Sequence, residues 1–572
     1  MRKFLLLLFG CFLFLFTFAQ VPLVLSRPVE KSFTATKDLD YYTITMEPGQ
    51  FSSIQISQQG IGLVIYLFDP EDSLLSITDD NGLNFAEIVT VDAIKSGNYK
   101  LGIGWDGGAA RLGHYTVVWD RLEKTQIGAV GKAGQLMDCW YDKYGPGAAV
   151  TVLKNDSVVF TATKGLANIE YQVPVTSSTV FELASVSKQF TAFAIALLEE
   201  KGLLSLEDDV RKWVPEVPDF GKKVTINQLV HHTSGIRDWD SWLALGGRKE
   251  GDVLTGDMIL SFVQRQQQLN FDPGTENHYS NTGYNLLTKV VERVTGQPFA
   301  KWMKENVFLP LGMNKSFFKD DYRMVIPNKV FSYTAAAAGF RLVPENISAC
   351  GSSSLYSSID DLAKWVNNFD LGIVGKNVLE GLNRRGILNR GDTSGYAFGN
   401  IHTRLYRFKM IQHLGLLAGY RTSIARFPDE KIAVVYLSND GDDATYGRAT
   451  RMEELFLPAL RKRKPKMPDL SKLDSLLQLP VKPNQGDYSS YTGDYYSAAL
   501  NIVYQLRSRD NRLVICHPAL DTVTLSREKD DSFSSNASFI QSVEFVRNRK
   551  KQVTELKLSS DGDRNISFIK IK

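Results

Sequence analysis

The sequence predicts a multidomain protein in which an α+β domain, built around an antiparallel sheet, lies between an all-β sandwich and a small all-β domain. Three observations predict this arrangement. The chain has 572 residues, whereas a single hydrophobic core stops growing at roughly 250–300 residues. Apolar residues recur at every second position near both ends of the chain, which is typical of strands. Between these regions, strand patterns enclose stretches with helical periodicity.

Composition and charge exclude several classes of protein. With 43% hydrophobic and 23% charged residues, the chain is neither mainly disordered nor a multi-span membrane protein. Its 66 basic and 63 acidic residues give a net charge of +3, so we expect no polycationic surface and no nucleic-acid partner. Cys11, Cys139, Cys350 and Cys516 form no C-x-x-C pair, which predicts neither a zinc site nor a disulfide framework. A disulfide among the last three stays an alternative.

Residues 1–20 have the pattern of a secretory signal peptide. Arg2 and Lys3 precede an apolar run over residues 4–18, which is followed by Ala19. The run is shorter than the roughly 20 residues that cross a bilayer as a helix. We therefore expect an exported protein, periplasmic or secreted, with no membrane span in the mature chain. An uncleaved membrane anchor is the alternative.

The three folded regions follow in order. Over residues 21–122, alternating runs such as Ile61, Leu63 and Ile65 are separated by turn signals, which predicts the β-sandwich. Over residues 123–463, strand patterns at both ends enclose helical patterns, which predicts the α+β domain. A basic, proline-containing stretch over residues 464–486 predicts a linker. Strict alternation returns over residues 487–572 and predicts the C-terminal all-β domain.

A serine and a lysine at the start of a predicted helix are the first candidates for chemistry. Ser185 precedes the helical pattern of residues 190–201, and Lys188 lies one turn further on the same face. A serine hydroxyl becomes a nucleophile when a nearby base removes its proton, and a desolvated lysine can be neutral enough to do so. The plain alternative is a capping serine and a surface lysine. The apolar residues on both sides argue against it, because they would bury Lys188, and buried lysines are rare unless paired or functional.

Two later segments supply further candidates. Tyr279 and Asn281, two residues apart, point the same way if the segment is extended. A phenol can pass a proton to a leaving group, and an amide can fix a lysine or a substrate carbonyl. His413 and Gly415 precede the last predicted hairpin, where a glycine lets a strand approach a ligand closely. The alternatives are a core tyrosine, an asparagine helix cap and a structural histidine.

Together these motifs resemble a known family. Ser185-x-x-Lys188, Tyr279-x-Asn281 and His413-x-Gly415, in this order, resemble the beta-lactamase-related serine hydrolases. That family includes penicillin-binding proteins, DD-peptidases, class C beta-lactamases, D-aminopeptidases and esterases. The resemblance covers most of residues 125–460 and implies the serine beta-lactamase-like α+β fold. The opening of the C-terminal domain, residues 491–495, resembles the lipocalin-like barrels appended to some serine hydrolases.

The resemblance also implies roles for individual residues. Ser185 would be the acylated nucleophile, with Lys188 and Tyr279 sharing the proton transfers. Asn281 would bind Lys188 or the substrate amide. The backbone N–H groups of Ser185 and Leu416 would form the oxyanion hole. The expected enzyme is a serine hydrolase that needs neither a metal nor another cofactor.

One departure from the family pattern bears on the substrate. His413 and Leu414 stand where the family has the lysine and threonine of a Lys-Thr-Gly triad. A neutral imidazole beside an apolar side chain binds a carboxylate poorly, although Arg421 is left open as a replacement. We therefore expect poor hydrolysis of penicillins and an ester, an amide or a D-amino-acid peptide as substrate. His231 and His232 are interpreted as structural.

Two alternatives to this function stay open. The first is a DD-peptidase or class C-type beta-lactamase. The second is a non-catalytic module that binds peptidoglycan or a partner protein, since accessory β domains often serve attachment. For a hydrolase the expected partner is a small-molecule or peptide substrate, peptidoglycan fragments included.

Overall fold

The computed structural model describes residues 20–36, 38–82, 85–108, 110–336, 339–458, 465–473, 487–517, 519–535, 537, 539–560 and 562–572. They form two compact units. One contains the N-terminal region up to residue 126 together with residues 465–473, and the other contains residues 127–458 and 487–572. The expected signal peptide and most of the expected linker lie outside the described residues. In the part of the chain that is described, no helix has both the length and the apolarity needed to cross a bilayer.

The first unit is a β-sandwich. Within the described ranges, one sheet has the strand order β1-β3-β8-β5-β6 and the other the order β2-β9-β4-β7. Alternate side chains of both sheets form its core, and Leu473 from the expected linker region packs against that core. The strands are β1 (Val21–Pro22), β2 (Val29–Thr34), β3 (Asp40–Met46), β4 (Gln50–Gln59), β5 (Leu63–Phe68), β6 (Leu74–Thr78), β7 (Ala86–Asp92), β8 (Gly97–Trp105) and β9 (Leu112–Lys124).

The second unit is organised around an antiparallel sheet of seven strands in the described part, with the order β11-β10-β25-β24-β23-β22-β21. Short two- and three-stranded ladders connect this sheet to the helices. The strands are β10 (Ala148–Lys154), β11 (Ser157–Lys164), β12 (Leu166–Asn168), β13 (Val173–Pro174), β14 (Phe181–Glu182), β15 (Leu254–Thr255), β16 (Phe317–Phe318), β17 (Tyr333–Ala335), β18 (Phe340–Leu342), β19 (Ile347–Ser348), β20 (Leu355–Ser357), β21 (Tyr396–Ala397), β22 (Asn400–Leu405), β23 (Phe408–Leu417), β24 (Tyr420–Phe427) and β25 (Ile432–Ser438).

Two of the helices position the candidate site. α2 is buried along most of its length because apolar residues surround it on every face, and α6 begins at a cap formed by Ser280, whose hydroxyl accepts a hydrogen bond from the Gly283 N–H. The helices are α1 (Gly128–Trp140), α2 (Ser187–Glu200), α3 (Ile226–Val230), α4 (Trp239–Leu245), α5 (Gly256–Gln264), α6 (Asn281–Thr295), α7 (Phe299–Met303), α8 (Ile359–Leu371), α9 (Lys376–Leu379) and α10 (Ala444–Phe456).

The C-terminal strands form a closed antiparallel barrel that belongs to the second unit. The Tyr504 hydroxyl of the barrel donates a hydrogen bond to the Leu245 carbonyl at the end of α4 (2.7 Å). The strands are β26 (Gly493–Ser497), β27 (Ile502–Arg509), β28 (Arg512–His517), β29 (Leu520–Lys529), β30 (Ser532–Ser535), β31 (Ser542–Arg547), β32 (Val553–Ser559) and β33 (Ile566–Lys570). The predicted fold class, an α+β domain between two all-β regions, is confirmed. Cys139, Cys350 and Cys516, the cysteines in the described ranges, are free thiols.

Candidate active site

Ser185 lies in a tight turn that leads directly into α2. The turn is one short 3₁₀ helix, Ala184–Val186, and Ala184 has a φ of 50°, in the left-handed region that residues with a Cβ rarely adopt. Glu182 holds this backbone in place, since its carboxylate accepts hydrogen bonds from the N–H groups of Ala184 (3.1 Å) and Ser354 (2.8 Å). The surrounding hydrogen bonds therefore hold the backbone next to Ser185 in this rarely adopted conformation.

Lys188 is completely buried, at 0% exposure, and its amine makes three polar contacts. Nζ lies 2.8 Å from Asn281 Oδ1, 2.9 Å from the Ser352 carbonyl oxygen and 3.1 Å from Ser185 Oγ. Burial lowers the pKa of Lys188 to about 7, although the nearby charges of Asp238 and Asp240 raise it. The amine is therefore partly neutral near neutral pH.

The partners of the Lys188 amine determine the direction of its lone pair. A neutral amine has two N–H groups and one lone pair. The Asn281 and Ser352 oxygens can only accept hydrogen bonds, so they take the two N–H groups. The lone pair then faces the Ser185 hydroxyl, which is the geometry that a base needs in order to remove the serine proton.

Tyr279 reaches the same serine from the other side. Its hydroxyl is hydrogen-bonded to Ser185, and its ring centre lies 4.7 Å from Lys188 Nζ. Although 38% of the residue is exposed, desolvation of the hydroxyl raises its pKa, and the hydrogen bond to Ser185 opposes this rise. The phenol therefore keeps its proton at neutral pH.

Asn281 reaches Lys188 from a helix and not from an extended segment. It is the first residue of α6, directly after the Ser280 cap. The condition under which Tyr279 and Asn281 would point the same way, an extended segment, is therefore not met at Asn281, because the Ser280 side chain caps a helix that begins there. Both residues still contact Lys188.

His413 lies in the same pocket as a neutral, buried ring. Its Nδ1 lies 2.7 Å from the Leu414 carbonyl oxygen, to which it donates, so Nε2 accepts from the Tyr396 hydroxyl at 3.0 Å. Burial, together with the charge of Lys188, lowers the pKa of His413 to about 3. His413 therefore supplies no positive charge for a substrate carboxylate.

Arg421 does not replace the missing triad lysine either. Its guanidinium donates to Asp443 Oδ1 (3.0 Å) and to the carbonyl oxygens of Ala418, Tyr420 and Gly441. These partners engage all three guanidinium nitrogens. The cation thus fixes the loops around β24, and it is not presented to a substrate.

Gly415 allows β23 to lie directly against the turn that carries Ser185. A Cβ at this position would collide with the Leu183 carbonyl oxygen and with the Thr422 hydroxyl. Leu416, the candidate second oxyanion donor, follows immediately on the same strand, and its side chain is exposed. The structure thus brings Ser185, Lys188, Tyr279, Asn281, His413, Gly415 and Leu416 to one place.

Asp238 is a member of this cluster that sequence reasoning missed. Its Oδ2 accepts hydrogen bonds from the Asn281 backbone N–H (3.2 Å) and from Asn281 Nδ2 (3.0 Å). Burial and the charge of Asp240 raise the pKa of Asp238 to about 7. The signal in the sequence was a short charged group, Arg237, Asp238 and Asp240, in an otherwise uncharged stretch over residues 224–247.

His232 and Glu182 were also missed as parts of the site. The ring centre of His232 lies 4.4 Å from that of Tyr279, with the two rings tilted by 39°, and its Nδ1 accepts a hydrogen bond from the Ser280 N–H. Burial lowers the pKa of His232 well below its usual value and raises that of Glu182 to about 8. Both residues therefore hold backbone in place as uncharged groups near neutral pH.

Comparison with known proteins identifies the family of the chain. The family model described as Beta-lactamase matches residues 132–457. The chain belongs to the beta-lactamase family. It is 28% identical over 332 residues to penicillin-binding protein 4* of Bacillus subtilis (strain 168), covering 54% of this chain and 71% of that protein. It is also 28% identical over 300 residues to a D-aminopeptidase of Gluconobacter oxydans (strain 621H), covering 52% of this chain and 56% of the relative.

The alignment with one solved structure covers a larger share of this chain than the alignments with these two relatives do. The octameric penicillin-binding protein homologue from Pyrococcus abyssi matches with a TM-score of 0.49 and 25% identity, and the alignment covers 75% of this chain and 96% of that one. The beta-lactamase-family chain spans little more than half the length of the D-aminopeptidase relatives.

Proposed function

We propose that this protein is a serine hydrolase that works through an acyl-enzyme on Ser185. The observation that carries the proposal is the contact set of Lys188, whose two carbonyl-type partners leave its lone pair for the Ser185 hydroxyl 3.1 Å away. A pKa of about 7 gives this amine a substantial neutral fraction at neutral pH.

The reaction takes place in two halves. Lys188 takes the Ser185 proton while Oγ attacks the substrate carbonyl carbon, and the backbone N–H groups of Ser185 and Leu416 stabilise the oxyanion. The Tyr279 phenol gives its proton to the leaving amine or alcohol as the carbon–leaving-group bond breaks, and it recovers a proton from the Lys188 ammonium. Water then repeats the attack on the ester carbon of Ser185, which releases the acid and restores the serine.

We infer an ester, an amide or a D-amino-acid peptide as substrate. The neutral His413, the apolar Leu414 and the engaged Arg421 leave no cation in these positions to bind a substrate carboxylate. Penicillins carry such a carboxylate, so the beta-lactamase and DD-peptidase alternatives receive less support. The relatives named D-aminopeptidase fit the preferred class.

We further propose that the protein is exported to the periplasm or secreted. The support is the signal-peptide pattern of residues 1–20. N-terminal sequencing of the protein recovered from the cell envelope or the medium tests it, and an intact Met1 in a cytosolic fraction would contradict it.

A comparison of wild type with Ser185→Ala tests the function. We expect wild type to form a covalent adduct with an activated phosphonate, which intact mass detects, and to turn over a short-chain ester and a D-alanyl amide faster than a chromogenic cephalosporin. Ser185→Ala should lose adduct and turnover while its melting temperature stays close to that of wild type. Labelling of the variant at the wild-type rate would remove Ser185 from the mechanism.

The same experiment separates the alternatives. A persistent acyl adduct without turnover of any substrate would favour a binding or sensing module. Rapid acylation and turnover of the cephalosporin would favour a beta-lactamase and would contradict the inference from His413 and Leu414.

A further inference from the structure

The C-terminal barrel touches the α+β domain close to the candidate active site. Residues 562–565, between β32 and β33, provide this contact. The Asp563 carboxylate accepts hydrogen bonds from the Asp238 backbone N–H (3.2 Å) and from Asn270 Nδ2 (2.7 Å). The Arg564 carbonyl oxygen accepts a hydrogen bond from the Arg237 guanidinium (2.8 Å). Two consecutive residues of the barrel therefore hold two consecutive residues of the catalytic domain.

The contact continues to the catalytic amine in three steps. Asp563 Oδ1 accepts from Asp238 N, Asp238 Oδ2 accepts from Asn281 Nδ2 (3.0 Å), and Asn281 Oδ1 accepts from Lys188 Nζ (2.8 Å). Ser185 Oγ lies at the end of this series, 3.1 Å from the amine. Asp563, Asp238 and Lys188 are buried and Asn281 is half-buried, so a displacement at Asp563 would be transmitted along hydrogen bonds that are largely shielded from solvent.

Asp563 also acts on the site through its charge. It is 0% exposed, and its Oδ2 has no hydrogen-bond partner among the described residues. Burial raises the pKa values of both Asp563 and Asp238, and the charge of Asp563 raises that of Asp238 further. Arg237 and His278 act in the opposite direction on Asp563. The other ionisable groups facing Lys188 are Asp240, His232, His413, Tyr279 and Tyr284.

We propose that Asp563 of the barrel is a positioning residue of the active site, which holds Asp238 and, through it, the Asn281 amide that orients Lys188. The inference rests on the proposed acyl-enzyme function and extends it, because it makes the barrel a part of the catalytic apparatus. Asp563 touches neither Ser185 nor Lys188 and acts only through Asp238.

Removal of the Asp563 charge should raise the pKa of Lys188. Asp563→Asn keeps the size and one oxygen of the side chain but removes its charge. Asp238 then loses a repelling neighbour and ionises more readily, and its negative charge stabilises the Lys188 ammonium. The acylation rate should rise with pH as Lys188 loses its proton, and this rise is the acid limb of the pH profile. In Asp563→Asn the acid limb should therefore move to higher pH by about half a unit.

The test measures the rate of Ser185 acylation by an activated phosphonate as a function of pH, together with kcat and KM for an ester. Wild type, Asp563→Asn, Asp563→Ala and Tyr504→Phe are compared. Tyr504→Phe is the matched control, because it removes a different hydrogen bond between the barrel and the catalytic domain. We expect Asp563→Ala to lower kcat about tenfold with little change in KM, and the control to keep the wild-type profile.

The outcomes are distinguishable. An unshifted acid limb in Asp563→Asn, or a shift of the same size in Tyr504→Phe, would overturn the positioning role. If Asp563→Ala does not fold, the acid limb of Asp563→Asn decides alone. If wild type itself fails to label Ser185, the proposed function fails, whatever the variants do.

Discussion

Lys188 contacts no carboxylate among the described residues, although Asp238 lies only one side chain further away. The Asn281 amide lies between them. It fixes the position of the amine without placing a full negative charge next to it. A carboxylate in direct contact would hold the lysine as an ammonium, which cannot accept the serine proton. The amide therefore keeps an anchored lysine available as a base.

This role of Asn281 can be tested by an isosteric change. Asn281→Asp places a carboxyl group next to Lys188, and Asp238, whose pKa is already raised to about 7, can hold the extra proton of the pair. The pKa of Lys188 should rise from about 7 by about one unit or more. Activity at neutral pH should fall about tenfold and recover at higher pH, which the pH profile of kcat/KM measures. An acid limb at the wild-type position would contradict this account.

At the scale of elements, the approach of β23 to the nucleophile turn depends on a missing side chain. Gly415→Ala should push β23 away from Leu183 and Thr422, with a loss of stability of about 1–3 kcal/mol and a larger loss of acylation rate. Gly134→Ala is a suitable control, because apart from its chain neighbours and the backbone of α1 no heavy atom lies within 4 Å of a Cβ at that position. The control should be neutral or slightly stabilising, since alanine favours a helix.

Thermal unfolding and phosphonate labelling of both variants check this prediction. A Gly415→Ala protein that labels at the wild-type rate would show that β23 has room to move. Equal destabilisation by both substitutions would show that the effect belongs to glycine replacement in general.

The sequence predicted the elements well where a local pattern defines them. Period-two alternation indicated the strands of the sandwich and the barrel, and apolar flanks indicated that Lys188 is buried, as it is. Whether the segment at Asn281 is extended or helical was left conditional, because a single capping hydroxyl, that of Ser280, decides it. The catalytic assignments stay predictions, although the residues concerned lie together.

The pairing of Asp563 with Asp238 was beyond sequence reasoning for a different reason. These residues are 325 positions apart, and each has an ordinary carboxylate side chain in a polar turn of the sequence. Only the docking of the barrel brings them together. Contacts of this kind follow from the tertiary arrangement and have no periodicity of their own.

At the scale of the whole molecule, the α+β domain and the barrel share one hydrophobic core. A single cluster of buried side chains runs from α2 and α6 to barrel residues such as Tyr504 and Phe568, whereas the sandwich has its own cluster. We expect the α+β domain and the barrel to unfold in one cooperative transition. Calorimetry, with hydrogen exchange to assign the transition, measures this.

Phosphonate labelling of Ser185 provides the control for that experiment. A covalent ligand that binds only the folded state should slow exchange in the core strands of the α+β domain and of the barrel alike. Protection of the first without the second would show that the barrel opens independently, and would contradict a shared cooperative unit.

The shared core has a practical consequence for anyone who shortens this protein. Ending the chain before residue 487 would expose the apolar surface around Trp242, which lines a cavity together with Ile566 and Ile569 of the barrel. A fragment trimmed to the family match alone would present that surface to solvent, where it invites aggregation. Expression designs should carry the tail through to the final strand.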